Sequence, residues 1–268
     1  MGTSCALFAV GVDGGKLVAG ELWVRRMAVR LTRFSTDSEV ATFNRARGQW
    51  VDVSPELEDL LRESLRAFEV SRGLVNIAVL PSMLAIGYTR PLSQGPTAAA
   101  LGGALPLPLL PDVLNVRQGR ARLAPGCGID LGGVAKGWMA DRVLDQMGSN
   151  AVANLGGDVS ARGPGPVGDG WPVGIGGSSV RLRDQGAATS SVLRRRWGAM
   201  HHLIDPRTGL PSHSGLQEVS VIARTALEAE VIAKTALLAG PVIAPAICAA
   251  HAFGWWLGAT ELAPVGRS

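Results

Sequence analysis

The stretch "MHHLIDPRTGLP" places His201, His202, Asp205, Arg207 and Thr208 within eight residues, and three of the four histidines in the chain fall between 201 and 213. An imidazole titrates near neutrality, so a histidine beside a turn that binds an anion is a candidate general base. The D-P-R-T-G order also makes sense as structure alone, because proline sets φ and glycine ends the turn. Both readings stay open at this level. Hydrolysis through a serine nucleophile would need a G-x-S-x-G elbow, which the sequence lacks.

Two further stretches suit an anion. "GIDLGGVAKGWMADRVLDQMG" reads as a short strand, a turn at Gly132 and Gly133, and a helix with Ala135, Met139, Val143 and Met147 on one stripe. Such a turn brings free backbone N–H groups to the positive end of a helix, and Lys136 adds a cation. It lacks the order of a P-loop and of a dinucleotide fingerprint, so a plain tight turn is the alternative. "VANLGGDVSARG" repeats the arrangement with Asn154, Gly156, Gly157 and Asp158, and a simple hairpin is its alternative. "GAATSSVLRRRWG" supplies Thr189, Ser190 and Ser191, which can bond phosphate oxygens or cap a helix. In "AEVIAKTA", Glu230 and Lys234 stand four apart on a helix, which taken locally is an exposed pair worth ~0.5 kcal/mol.

These residues need a scaffold, and the chain has the composition for one. Its 268 residues are 47% apolar, enough for one large domain or two lobes, and its 35 glycines and 16 prolines call for many turns. A strand is expected around "CALFAVGV", a helix from Lys16 to Phe34, and a short helix capped by Asp37 or Ser38. "VSPELEDLLRESLRAFEVSRG" is the clearest helix, with Ser54 as cap, Pro55 in the first turn and Gly73 as stop. Residues 89–113 are rich in Pro, Gly, Ala and Leu and read as a flexible crossing. It parts an N-terminal helical lobe (about 15–88) from a C-terminal α+β lobe (114–268).

Composition also narrows the partners. A formal charge of +4 favours anions in general. Arg194, Arg195 and Arg196 form the one dense basic run, which reads first as solvated surface with phosphate binding as the alternative; no nucleic-acid signature accompanies it. Cys5, Cys127 and Cys248 are too few and too irregular for a disulfide framework or zinc site, so a reducing, cytoplasmic compartment is expected. No signal peptide is visible. Residues 236–257 are long enough on paper for a membrane span, but their prolines and glycines read better as a second short helix followed by a buried strand.

In order along the chain, "MGT", "RFSTDSEVATFN", "GGLVNIAVLPSMLAIGY", "IDLGGVAKG", "NLGGDV", "ATSS", "HHLIDPRTG" and "VSVIARTALEAEVIAKTALLAG" resemble the ApbE-type FAD:protein FMN transferases. The resemblance implies a single α+β domain: an ApbE-like, T-fold-like mixed sheet with flanking helices and an FAD cleft between two lobes. It implies cleavage of FAD to AMP, with FMN attached by a phosphoester to a threonine or serine of an acceptor flavoprotein, and Mg2+ as cofactor. Hydrolysis of FAD to FMN and AMP, and FAD binding without catalysis, are the alternatives. By the same resemblance Met1, Ser35, Asn44, Asn76, Gly132, Gly133, Ala135, Lys136, Asn154, Gly157, Asp158, Thr189, Ser190, Asp205, Arg207 and Thr208 bind FAD, and His202 is the base.

Two departures stand out. The family's Phe-Asp-Pro-Thr block appears here as Val75, Asn76, Ile77 and Ala78. Its magnesium ligands, an Asp, a Thr four residues on and the carbonyl corresponding to Ala135, become Glu230, Lys234 and Ala135. A shift of one residue would bring in Thr235, at the cost of about 100° of rotation around the helix. The altered block predicts that Lys234 takes up part of the role of the metal, paired with Glu230.

Overall fold

The computed structural model describes residues 3–101 and 104–259. Strand β1 (Cys5–Ala9) leads into helix α1 (Gly14–Arg30), whose first turn is closed by Gly15 donating to the Asp13 side chain. Ser38 caps α2 (Glu39–Asn44), which is followed by β2 (Val51–Asp52). Ser54, held by Glu39, caps α3 (Pro55–Val70), and Glu56 and Glu58 sit in its first turn, where the helix dipole favours acids. Next come α4 (Leu80–Ala85), α5 (Leu110–Val113), β3 (Leu114–Arg117) and β4 (Arg120–Leu123).

Helix α6 (Ala135–Met147) opens the rest of the chain. It feeds the hairpin β5 (Ala151–Leu155) and β6 (Asp158–Arg162), a second hairpin β7 (Trp171–Ile175) and β8 (Ser178–Leu182), and strand β9 (Gln185–Ser191). Two small ribbons follow, β10 (Arg196–Trp197) with β11 (Met200–His201) and β12 (Ile204–Asp205) with β13 (Leu210–Pro211). Strand β14 (Leu216–Ala223), helices α7 (Ala226–Ala239) and α8 (Ala244–His251) and strand β15 (Gly254–Ala259) complete the described chain.

The main sheet has the order β1-β5-β6-β9-β14-β15, and every neighbouring pair in it is antiparallel. Successive side chains in a strand point to opposite faces. Val159, Ala161 and Ala187 therefore meet Trp171, Ile175 and Leu182 of the β7–β8 hairpin on one face. Ala188, Val219 and Val221 meet Ala229, Ala233 and Leu237 of α7 on the other.

The largest core joins Trp23, Val24 and Met27 of α1 to Trp138, Met139, Val143 and Met147 of α6, and extends to Leu57, Leu60 and Leu61 of α3 and Leu114 and Leu123 of the small sheet β2-β4-β3. The expected boundary at residue 114 is therefore not a packing boundary: β2 pairs with β4, and strands after the crossing close the core under the N-terminal helices.

Three local expectations need correction. Residues 128–131, expected as a strand, join no sheet. The crossing at 89–113 is tied down among the described residues: Thr97 donates to the Gly87 carbonyl, Ala100 to Ala85, and Leu107 to Pro206. The apolar stretch after residue 236 does form the second helix and a strand, but β15 is the sheet edge and its Trp255 is 38% exposed, so it is not a buried strand. Among the described residues no helix is long and apolar enough to cross a membrane.

Helices α6 and α7 cap one another. Helix α6 has no side-chain cap of its own; instead Gly137 N donates to Glu230 Oε2 at 3.0 Å, across from α7. In return Asp141 of α6 accepts from Ala226 N at 2.9 Å and Leu227 N at 3.0 Å, at the start of α7. Gly137 makes the approach possible, because a Cβ there would lie 2.7 Å from the Ala226 carbonyl oxygen. Asp141→Ala strands two N–H groups in the interface and should cost about 2 kcal/mol in chemical denaturation, since each buried unsatisfied donor costs about 1–3 kcal/mol. Asp145→Ala, which removes only a surface pair with Arg162, should cost less than about 1 kcal/mol.

Candidate functional site

A cavity opens where the N-terminus of α6, the end of β9, the loop into β10, the residues just after β11 and one face of α7 converge. Its lining carries Lys136, Arg194, Arg195 and Lys234 against Asp130 and Glu230, four cations to two carboxylates, so its natural occupant is an anion. Gly132 and Gly133 bring bare backbone to the same wall. The Gly132 N–H donates to Asp130 Oδ1 at 2.7 Å, which fixes the turn just before the helix.

Behind this wall lies a buried charge cluster. Lys136 Nζ forms a close ion pair with Asp158 and is 3.1 Å from Glu230 Oε1. Lys234 Nζ donates to the Gly133 carbonyl and is 3.6 Å from Glu230 Oε1. All four side chains are at most 15% exposed. Burial, reinforced by the neighbouring Glu230 carboxylate, pushes Asp158 up to about 7. Burial acts the same way on Glu230, but Lys136, Lys234 and the Gly137 N–H outweigh it and hold that carboxyl well below its ordinary value. Lys234 is lowered by burial, only partly offset by Glu230.

The opposite wall is aromatic. Arg33 forms a close ion pair with Asp130, donates to the Tyr88 carbonyl at 2.6 Å and lies over the rings of Phe34 and Tyr88, 4.1 and 4.7 Å from their centroids. Tyr88 also packs against Trp197 with centroids 5.3 Å apart. Phe34 and Tyr88 line the cavity, which gives a flat aromatic ring a surface to stack on.

Of the residues singled out from the sequence, Asn76, Gly132, Gly133, Lys136, Gly156, Thr189, Ser190, Ser191, His202, Glu230 and Lys234 line this cavity. Asp158 sits behind Lys136. Strand alternation separates the hydroxyls: Ser190 faces the α7 side, whereas Thr189 lies on the other face with its hydroxyl 2.8 Å from Ser220. None of the three caps a helix, because they end β9.

Others shape the walls without lining the cavity. The Asn44 side chain clamps the backbone of Ile129, accepting from its N at 2.8 Å and donating to its O at 2.9 Å. Asn154 accepts from Gly157 N at 2.9 Å and closes the β5–β6 hairpin, where Gly157 has φ +99°. Asp205 binds Arg207 in a fork, Arg207 also donates to the Leu238 carbonyl at 2.9 Å, and Thr208 closes the same turn. Ser35 and Ala135 neighbour lining residues but are not among them. Met1 lies outside the described residues.

The adjacent histidines have different surroundings. His201 is buried and structural, with Nε2 2.9 Å from the Ser212 carbonyl oxygen and Nδ1 accepting from Leu203 N. His202 lines the cavity; its Nδ1 is buried with no hydrogen-bond partner among the described residues. Burial, with Arg195 and Lys234 nearby, holds its pKa well below the ordinary value, so the ring is neutral at pH 7.

Sequence reasoning missed Arg33, Asp130, Phe34, Tyr88, Arg194 and Arg195 as site residues. All lie within stretches already singled out, "RFS", "IDL", "IGY" and "VLRRRWG"; the arginine run reads first as solvated surface, with phosphate binding as the alternative.

The donor set does not fit magnesium. That ion seeks a near-octahedral shell of hard oxygens. Glu230 Oε1 faces two ammonium groups, Glu230 Oε2 accepts from Gly137 N, and the Gly133 carbonyl is taken by Lys234. Thr235 offers no substitute, because its hydroxyl is buried and donates to Val231 O at 2.7 Å. The surroundings of Glu230 thus do not support the metal role expected for it beside Ala135. The exposed-pair reading of Glu230 and Lys234 fails too, since the two side chains are 4% and 12% exposed.

Comparison with known proteins places this geometry. The sequence pattern of the ApbE family matches residues 1–254. A Klebsiella pneumoniae protein named FAD:protein FMN transferase is 30% identical over 271 residues, covering 90% of this chain and 77% of its own. One of the same name from Salmonella typhimurium is 29% identical over 261 residues, covering 86% and 74%. Among solved structures, the apbe protein of Thermotoga maritima superposes with a TM-score of 0.80 at 23% identity, covering 97% of this chain and 94% of that one. The flavin transferase ApbE of Vibrio cholerae superposes with a TM-score of 0.77 at 20% identity, covering 96% and 94%.

Glu230→Gln removes the charge that holds two lysines and caps α6. Breaking one member of a buried ionic network should cost about 3–5 kcal/mol in denaturant unfolding. Glu228→Gln, an exposed residue on the same helix, should change stability by no more than about 0.5 kcal/mol.

Proposed function

Because the chain belongs to the ApbE family, we propose that it is an FAD:protein FMN transferase, cleaving FAD and attaching FMN to a hydroxyl of a separate acceptor flavoprotein. The observation that carries this reading is one cavity with a cation-rich glycine turn on one wall and a paired aromatic surface on the other. A flavin adenine dinucleotide needs both: charge for its pyrophosphate and flat apolar faces for its rings.

In this reading the N-terminus of α6, Lys136, Arg195 and Lys234 attract and orient the pyrophosphate, and Phe34 and Tyr88 stack against a ring. The hydroxyl oxygen of an acceptor threonine or serine attacks the phosphorus on the FMN side. The pyrophosphate P–O bond to AMP breaks, AMP leaves, and the hydroxyl proton passes to His202. Such a step depends on alignment and charge stabilisation more than on covalent chemistry by the protein. A ring that is neutral at pH 7 is in the form that accepts a proton. Asn44, Asn154, Asp205, Arg207 and Thr208 act by holding the walls. A cytoplasmic setting agrees with the free Cys5, Cys127 and Cys248.

The test mixes protein, FAD and a candidate acceptor, then measures AMP release and flavin fluorescence on the denatured acceptor. AMP together with labelled acceptor supports transfer. AMP without label supports hydrolysis by water instead, and FAD binding with no AMP supports a non-catalytic binder. His202→Ala should lower kcat by about 10²–10⁴ while changing FAD affinity less than about threefold. Because the His202 pKa is held down, the base stays deprotonated as pH falls through 6.5. Its contribution to the rate should be flat across neutral pH and fall only well below the ordinary histidine range, and a loss of activity centred near 6.5 would argue against His202.

A further inference from the structure

Two lysines sit on Glu230, but they are not equivalent. Lys136 also lines the cavity, but its ammonium is committed to two carboxylates, Asp158 and Glu230. Lys234 reaches across from α7 and donates to the Gly133 carbonyl, the bare backbone of the cavity wall. An ammonium has three donors. The bond to Gly133 uses one, and the contact to Glu230 at 3.6 Å is an ion pair beyond hydrogen-bond range. The side chain lines the cavity. A Cβ on Gly133 would lie 3.0 Å from Nζ, so the glycine leaves the room that the ammonium occupies.

The same oxygens would have to ligate a divalent cation at this point, and they already face ammonium groups. We propose that the Lys234 ammonium, braced by Glu230 and the Gly133 carbonyl, is a built-in cation for the pyrophosphate of FAD, so that this protein binds and cleaves FAD without a divalent metal. The inference rests on the proposed function and deepens it. One lysine brings one positive charge where a magnesium ion would bring two. Arg195, lining the same cavity, supplies a second. Fixed charges of this kind stabilise the negative charge that grows on the departing AMP phosphate without any ion having to bind first.

The test titrates FAD into the full-length protein by flavin fluorescence, once in EDTA and once in excess magnesium, with AMP release followed in parallel. Wild-type affinity should change by less than about twofold between the two, and AMP release in EDTA should persist, because no ligand shell for the ion exists. Lys234→Met should weaken FAD binding about tenfold or more in both conditions, as expected for loss of a buried charge partner of the ligand. Lys234→Thr, which restores an oxygen, should regain part of that loss only when magnesium is added.

Wild-type binding or AMP release that requires magnesium overturns this inference alone and leaves the transferase reading standing. A well-folded Lys234→Met protein that binds FAD like wild type overturns it too. Failure of the wild type to bind FAD in either condition removes the proposed function and this inference with it. Thermal melting of each variant separates loss of the fold from loss of the site, and if both variants unfold, the wild-type comparison in EDTA and magnesium still decides.

Discussion

The structure turns on one carboxylate. Glu230 lies where α6 and α7 cross, and it closes the N-terminus of α6 with one oxygen while the other faces Lys136 and Lys234. Without it, α6 would begin with no side-chain cap beside two buried positive charges. Burying an unpaired charge is expensive, and removing one member of such a set costs more than never having built it. The reciprocal bonds that Asp141 accepts from the start of α7 fix the helix pair from the other end, so the register of the two helices sets where Lys136 and Lys234 stand on the cavity wall.

That constraint explains why the cavity is polarised. The wall built by α6 and α7 carries fixed charge, whereas the facing wall is held by Arg33, which ties Asp130 to Tyr88 and stacks on two aromatic rings. Asp130 belongs to both systems, because it also fixes the Gly132 turn. A long ligand with a charged middle and flat ends matches this division of labour. The buried cluster is not an efficient source of stability, but it places charge without needing a mobile ion to complete the site.

Local signals were legible where the physics is local. The caps read at Ser38 and Ser54 and the apolar stripe of α6 obey rules that involve only a few neighbouring residues. The Gly132–Gly133 turn and the β5–β6 hairpin follow from glycine and from Asn154 in the same way. Arg33 and Asp130, 97 residues apart, carry no local mark of their pairing, and neither does the burial of Glu230 and Lys234, which depends on α7 lying against α6. The strand expected at 128–131 failed for a related reason: an extended apolar run becomes a strand only if a partner edge is free, and Asn44 takes up the backbone of Ile129 instead. In the "DPRTG" turn Asp205 and Arg207 bind each other, the structural half of the reading that the sequence left open.

The arrangement of Glu230 and Lys234 therefore carries both the fold of the helix pair and the proposed chemistry of the cavity. A structure of the protein with FAD, obtained in the presence of magnesium, tests this most directly. It should show a pyrophosphate oxygen at hydrogen-bond distance from Lys234 Nζ, about 3 Å, with the Glu230–Gly137 bond intact and no metal between the carboxylate and the phosphates. A magnesium ion bound to Glu230 with Lys234 swung aside, or FAD phosphates lying away from α6, would contradict it.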